Sequence, residues 1–174
     1  MKGRYRMLQD ILSPQKTMFE SDAHTELRGQ NSRNRRVVLL NGDIVGNIRS
    51  DVSGVSARVY RGGVYGFSSM AEYSTEAART VLKAATENAD FMDRHAGIGK
   101  PALPVLPAKS RMTDTTINDA AQTVYVDIAR EADAYIARKY PNLASRRVVA
   151  MEDSMEKLLI TSDGMDSHFI APRS

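Results

Sequence analysis

The chain has no cysteine and no tryptophan among its 174 residues. Without thiols it has no disulfide framework, no thiolate zinc site, no iron–sulfur cluster and no cysteine nucleophile. Long apolar runs are missing too. None exceeds four residues, as in Val37 to Leu40, so no segment has membrane-spanning length. The stretch before Leu12 lacks an apolar core of signal-peptide length. These absences set a cytoplasmic location as the expectation, with no membrane partner. Charge of one sign is also scarce. Lys and Arg number 24 and Asp and Glu 21, and a net charge of +3 is too mild to imply a nucleic-acid partner. What is present is 42% apolar and 26% charged residues, in a length that suits one domain with its own core.

The spacing of apolar residues from Arg4 to Leu12 predicts a short helix ended by Ser13-Pro14. From about Thr25 to Ser69 the pattern is β. Val55, Ala57 and Val59 alternate with Ser56, Arg58 and Tyr60, and beyond Arg61-Gly62-Gly63 the residues Tyr65, Phe67 and Ser69 alternate with Val64, Gly66 and Ser68. Two period-two runs around a glycine pair predict a hairpin with positive φ in its loop. Upstream, strands at Arg36 to Leu40 and Ile44 to Ile48 flank Asn41-Gly42-Asp43, a second hairpin signal. Ser74, with Glu76 in the first turn, caps a helix whose stripe is Ala78, Val81, Leu82, Ala85, Ala89 and Met92.

Two glycines and three prolines between Gly97 and Met112 predict an extended internal connection, over about 97–113. A second helix is expected from about Thr116 to Tyr140. Ile117, Ala121, Val124, Ile128, Ala132, Tyr135 and Ile136 form its stripe, and Pro141 stops it. Arg146 to Ile170 reads as β, with turns at Asp153-Ser154 and Asp163-Gly164. The expected class is α+β, a mainly antiparallel sheet built from β-meanders and hairpins and packed against two longer helices. Asn41-Gly42 and Asp163-Gly164 echo each other as a possible duplicated meander, with only Ser32/Ser154 and Gly42/Gly164 identical at that offset.

No catalytic constellation stands out. The three histidines, His24, His95 and His168, are far apart in sequence. Asp22, His24 and Glu26 would share one face of a strand, a weak metal set at best and more simply a solvated face. His95 ends a helix, where the dipole favours a cation, and His168 takes a surface or capping role by default. Gly99-Lys100 lacks a phosphate loop's first glycine, replaced by Arg94, and its hydroxyl, replaced by Pro101. Ser68 and Ser69 lack a serine elbow's second glycine and finish a strand. Arg28, Arg33, Arg35 and Arg36 fall within nine residues, but without interleaved aromatic residues they read as a solvated hairpin. Glu152, Asp153 and Glu156 are expected to be solvated at a turn.

Several segments, in their order, resemble the N-terminal region of the TldD/PmbA family. They are Thr25-Glu26-Leu27-Arg28, Leu40-Asn41-Gly42-Asp43, Gly54 to Tyr60, Gly62 to Ser69, Ser74-Thr75-Glu76, Pro101 to Pro107, Lys139 to Leu143 and Leu159 to Gly164. These are bacterial and archaeal metalloproteases, also described as modulators of DNA gyrase and microcin-maturation proteins. The resemblance runs from about Leu8 to Ile170. It implies a single N-terminal domain over 1–174, with the catalytic C-terminal domain absent. The family's zinc signature, His-Glu-x-x-x-His, does not occur here, so no catalytic, cofactor-binding or metal-binding residue is assigned in this chain.

By that resemblance zinc belongs to the full-length family protein, and this chain alone is expected to be inactive. The implied role is to help form a peptide-binding cleft and subunit contacts. The implied partners are the C-terminal domain, a homo- or hetero-dimer partner of the same family, and a peptide substrate. The alternative is a stand-alone interaction or regulatory module without enzymatic activity.

Overall fold

A computed structural model describes residues 8–97, 99–104, 109–111 and 120–174. Its order is β1 (His24–Leu40), β2 (Asp43–Arg61), β3 (Val64–Met70), α1 (Thr75–Ala96), α2 (Gln122–Lys139), β4 (Arg147–Thr161) and β5 (Asp166–Arg173). The strands form one five-stranded sheet in the order β3-β2-β1-β4-β5. This is the α+β class expected from the pattern. By contacts the chain divides into two compact units. The first gathers the described residues of 1–31, 53–114 and 156–169, and the second those of 32–52, 115–155 and 170–174.

In the first unit, residues 8–12 are helical and run straight into a 3-10 helix, Ser13–Met18. Pro14 therefore opens a helical turn rather than closing one, since its missing N–H costs nothing at a first position. The rest of the expected helix, before Leu8, lies outside the described residues. β2 and β3 pair antiparallel from Arg61↔Val64 to Val55↔Met70. Their loop is Gly62-Gly63, with φ of 57° and 98°, the two positive angles such a turn demands. Ser74 Oγ accepts the Ala77 N–H at 3.0 Å and caps α1.

Ala78, Val81, Leu82, Ala85 and Ala89 bury one face of α1 against Leu27, Val55, Ala57, Val59, Leu158 and Ile160. Met92 is exposed instead. α1 ends at Ala96, before Gly97, and the described residues of the connection form neither helix nor strand. Asp163-Gly164 turns β4 into β5, with Gly164 at φ 87°.

In the second unit, Asn41 (φ 52°) and Gly42 (φ 93°) make the tight turn between β1 and β2. The strands on either side are longer than the pattern suggested. Arg36 to Leu40 is the end of β1, and Ile44 to Ile48 the start of a 19-residue β2. Asp153-Ser154 is no turn but lies inside β4, with Ser154 buried. α2 begins at Gln122. The expected start at Thr116 and the stripe residue Ile117 lie outside the described residues, and of the rest of the stripe Val124, Ile128 and Tyr135 are exposed.

The buried face of α2 is Tyr125, Ala129 and Asp133, four residues apart, with Tyr125 and Ala129 against Val37 and Leu39. The rotation has a polar cause. Arg146 Nε and Nη2 donate to the two Asp133 carboxylate oxygens at 2.7 and 3.1 Å, so this face satisfies the charge that a hydropathy pattern would turn to solvent.

Candidate functional site

The first unit holds an open concavity of about 680 Å³ where β1 begins and β2 ends. The 3-10 helix brings Lys16 and Phe19 to it, and the following bend brings Glu20 and Asp22. Tyr60 donates its hydroxyl proton to the Pro101 carbonyl at 3.1 Å, and Lys100 N–H donates to the Gly62 carbonyl at 3.2 Å. These bonds hold the start of the proline-rich connection beside the Gly62-Gly63 turn, adding Lys100, Ala102 and Leu103 to the lining. Tyr60 also meets Tyr65 with ring centroids 4.9 Å apart.

Arg61 is the electrostatic centre of this wall. Its guanidinium donates to Glu20 and Asp90, and to Asp22 at 3.0 Å. Burial alone would lower its pKa, and Asp90, Glu20 and Asp22 together outweigh that and raise it. The guanidinium is thus a fixed strut. Across the concavity His24 Nδ1 lies 3.3 Å from Asp163, and its Nε2 lies 3.7 Å from Glu26. Glu26 in turn accepts from Arg58 at 2.6 Å. That bond, ahead of the opposing effect of burial, raises the Arg58 pKa.

This geometry answers the metal reading of Asp22, His24 and Glu26. Asp22 turns to Arg61, and the two carboxylates near His24 sit on opposite ring nitrogens, so the three cannot converge on one ion. Among the described residues, no group of three or more His, Cys, Asp or Glu could hold a metal. The residues present do not fit the zinc that the resemblance implies for a full-length protein, and no step here runs through it. Ser162 Oγ accepts the Thr25 N–H at 3.0 Å, a structural bond. The wall offers apolar and charged contacts to a chain laid along it.

His95, as expected, closes a helix, donating from Nδ1 to the Phe91 carbonyl at 2.8 Å and stacking on the Phe91 ring. His168 does not lie on the surface. It is buried on β5 and donates from Nε2 to Glu156 at 2.9 Å. Glu152 and Glu156 are buried as well, not solvated. Both share the parity of Leu158 and Ile160 along β4, a signal the sequence did carry. Glu152 accepts from Tyr125 Oη and pairs with Arg35 at 3.4 Å in the second unit.

The arginine cluster is divided in the same way. Arg35 is buried on the face of Val37 and Leu39, Arg33 lies 3.8 Å from Asp51, and Arg28 is exposed. A buried Arg35 departs from the solvated hairpin expected for this cluster.

The second unit has a different surface. Val148 and Ala150 pack toward α2, so the alternating Val149 and Met151 point to the other face, where both are exposed. On β2 a side chain at Gly46 would meet Val38, which alternates with the helix-covered Val37 and Leu39. Ile44 and Ile48 share that outer face, and both are exposed. Val38 itself is buried, while Ile44, Ile48, Val149 and Met151 leave exposed apolar side chains on the second unit, a feature of interaction surfaces.

Residues 25–89 match the model of the PmbA/TldA metallopeptidase domain 1. A comparison with curated proteins returned no match. Among solved structures, a candidate modulator of a DNA gyrase from Thermotoga maritima is similar, at 14% identity and a TM-score of 0.69 over 97% of this chain and 37% of that one. TldE from Thermococcus kodakarensis is similar at 12% identity and a TM-score of 0.71, over 95% of this chain and 37% of that one. A candidate modulator of DNA gyrase from Bacteroides thetaiotaomicron is similar at 15% identity and a TM-score of 0.62, over 99% and 39%. The resemblance to an N-terminal TldD/PmbA domain is borne out by the family match and by the shared fold. The chain spans less than two fifths of the length of these structures.

Proposed function

We propose that this chain is the non-catalytic N-terminal domain of a TldD/PmbA-like metalloprotease. It helps form the cleft that admits an extended peptide, and it contributes contacts to a dimer partner of the same family. Zinc-dependent hydrolysis belongs to a C-terminal domain in a longer polypeptide. The observation that carries the reading is the concavity walled by Phe19, Tyr60, Ala102 and Leu103, with Lys16, Arg61 and Lys100 as cations. Apolar pockets beside fixed charges suit a peptide bound in extended form. The location proposed is the cytoplasm. Among the described residues, no helix is long and apolar enough to cross a membrane.

The test uses the natural polypeptide that contains this chain. Its zinc content is measured, and Leu103→Asp and Lys100→Glu are assayed on extended peptides. About one zinc per chain, with KM raised and kcat little changed in both variants, supports the cleft. Unchanged KM removes this concavity from the substrate path. A metal-free, inactive polypeptide favours the second reading, a stand-alone interaction or regulatory module. The specific observation for that reading is the exposed outer face of Ile44, Ile48, Val149 and Met151.

A further inference from the structure

The second unit carries a concavity of about 370 Å³ that shares no lining residue with the one in the first unit. It lies across the neighbouring strands β2, β1, β4 and β5. Ser50 and Val52 line it from β2, Asn34 from β1, Asp153 and Met155 from β4, and Arg173 from β5. Asp153 and Met155 keep the parity of the exposed Val149 and Met151, on the side of β4 turned away from α2.

Asp153 and Arg173 are opposite charges on adjacent strands. Among the described residues, their side chains are joined neither to each other nor to another partner, and the Asn34 amide is not hydrogen-bonded either. Arg33, the other cation on the lining, lies 3.8 Å from Asp51. This pattern selects a ligand. A simple anion drawn to Arg173 meets the Asp153 carboxylate, and a simple cation drawn to Asp153 meets the guanidinium. A small zwitterion suits both, with an ammonium on Asp153 and a carboxylate in the arginine fork. Adjacent strands are about 4.8 Å apart, and two residues of extended chain span roughly 7 Å, so the ends of a dipeptide reach both groups. Asn34 offers an amide to its peptide bond, and Val52 and Met155 offer apolar contact to short side chains. The volume is near the lower end for ligand pockets, which admits two residues and not a long chain.

We infer that this concavity binds a dipeptide with free ends, its ammonium on Asp153 and its carboxylate on Arg173. The inference goes beyond the proposed cleft and needs neither the first unit's concavity nor a metal.

The natural polypeptide that contains this chain is titrated with L-alanyl-L-alanine, its N-acetyl form, its C-amide form and L-alanine. Ligand-observed NMR follows binding and shows that each probe stays intact. The free dipeptide is expected to bind, and blocking either end or shortening it to alanine to weaken binding about tenfold or more. Asp153→Asn should lose affinity for the free dipeptide and stop rejecting the N-acetyl form while still rejecting the amide. Arg173→Gln should do the reverse, a crossed pattern that a folding defect would not give. Leu103→Asp and Lys100→Glu, in the first unit, should retain this binding, so failure here and failure of the cleft are read apart. No binding at millimolar probe overturns the inference. So do equal binding of alanine or acetate, parental affinity in either charge variant, or loss of binding in Leu103→Asp.

Discussion

Glu156 on β4 and His168 on β5 face each other 2.9 Å apart, both nearly excluded from solvent. Removing the imidazole leaves a buried carboxyl group without its donor, so it should cost far more than the lost packing. His168→Ala is expected to destabilise the protein by about 3–5 kcal/mol. Glu156→Gln keeps an acceptor without the charge and should cost about 1 kcal/mol. In the Glu156→Gln background, His168→Ala should cost markedly less than in the parent. Urea denaturation of the four proteins measures this coupling.

Tyr73 lies in the same unit, and its hydroxyl oxygen is shielded from water without a hydrogen-bond partner among the described residues. Burial first, and the Glu156 charge second, push its phenol well above the ordinary range. Below the unfolded phenol's pKa, near pH 10, both states hold the proton and Tyr73 adds no pH dependence. Above it the unfolded chain releases the proton while the folded chain retains it, so stability falls as pH rises. Tyr73→Phe should make that alkaline loss shallower and, by removing an orphan hydroxyl, stabilise by up to about 1 kcal/mol at neutral pH. Unfolding curves recorded between neutral pH and pH 11 decide it.

Gly66 sits on β3 directly beneath α1. A side-chain carbon there would stand 2.0 Å from the Ala85 carbonyl oxygen and 2.4 Å from the Ala89 nitrogen. Both are helix backbone and cannot swing aside. Gly66→Ala should therefore lift the helix from the hairpin and destabilise by about 3 kcal/mol or more. Gly46→Ala would meet only Val38 at ordinary contact distance and should be close to neutral. Thermal unfolding of the pair separates a steric requirement from a general glycine effect.

The hairpins were legible because their turns need residue types that few other positions demand. Asn41-Gly42 and Gly62-Gly63 announce positive φ, and the register follows from them. The capped α1 was legible for a similar local reason. What stayed hidden depends on partners distant in sequence. Asp133 turns inward because Arg146 meets it, which rotates α2 away from its most apolar stripe. Glu152 and Glu156 carried the parity of a buried face, but the partners that satisfy them there, Tyr125, Arg35 and His168, come from other elements. The concavity was invisible for the same reason, since its wall is gathered from the 3-10 helix, two strand ends and the proline-rich connection.

The two faces of β1 and β4 in the second unit should respond oppositely to substitution. Leu39 is fully buried beside Tyr125 and Ala129, so Leu39→Ala removes packed methyl groups and should cost about 2–5 kcal/mol. Met151 is half exposed on the outer face, and Met151→Lys should change stability by less than about 0.5 kcal/mol. If that face meets another domain or partner, the same lysine should weaken the association while leaving the isolated chain as stable as before. Denaturation of the chain and a binding titration with the remainder of its natural polypeptide read the two effects separately. A Met151→Lys variant that unfolds like Leu39→Ala would mean the outer face is covered within the chain itself.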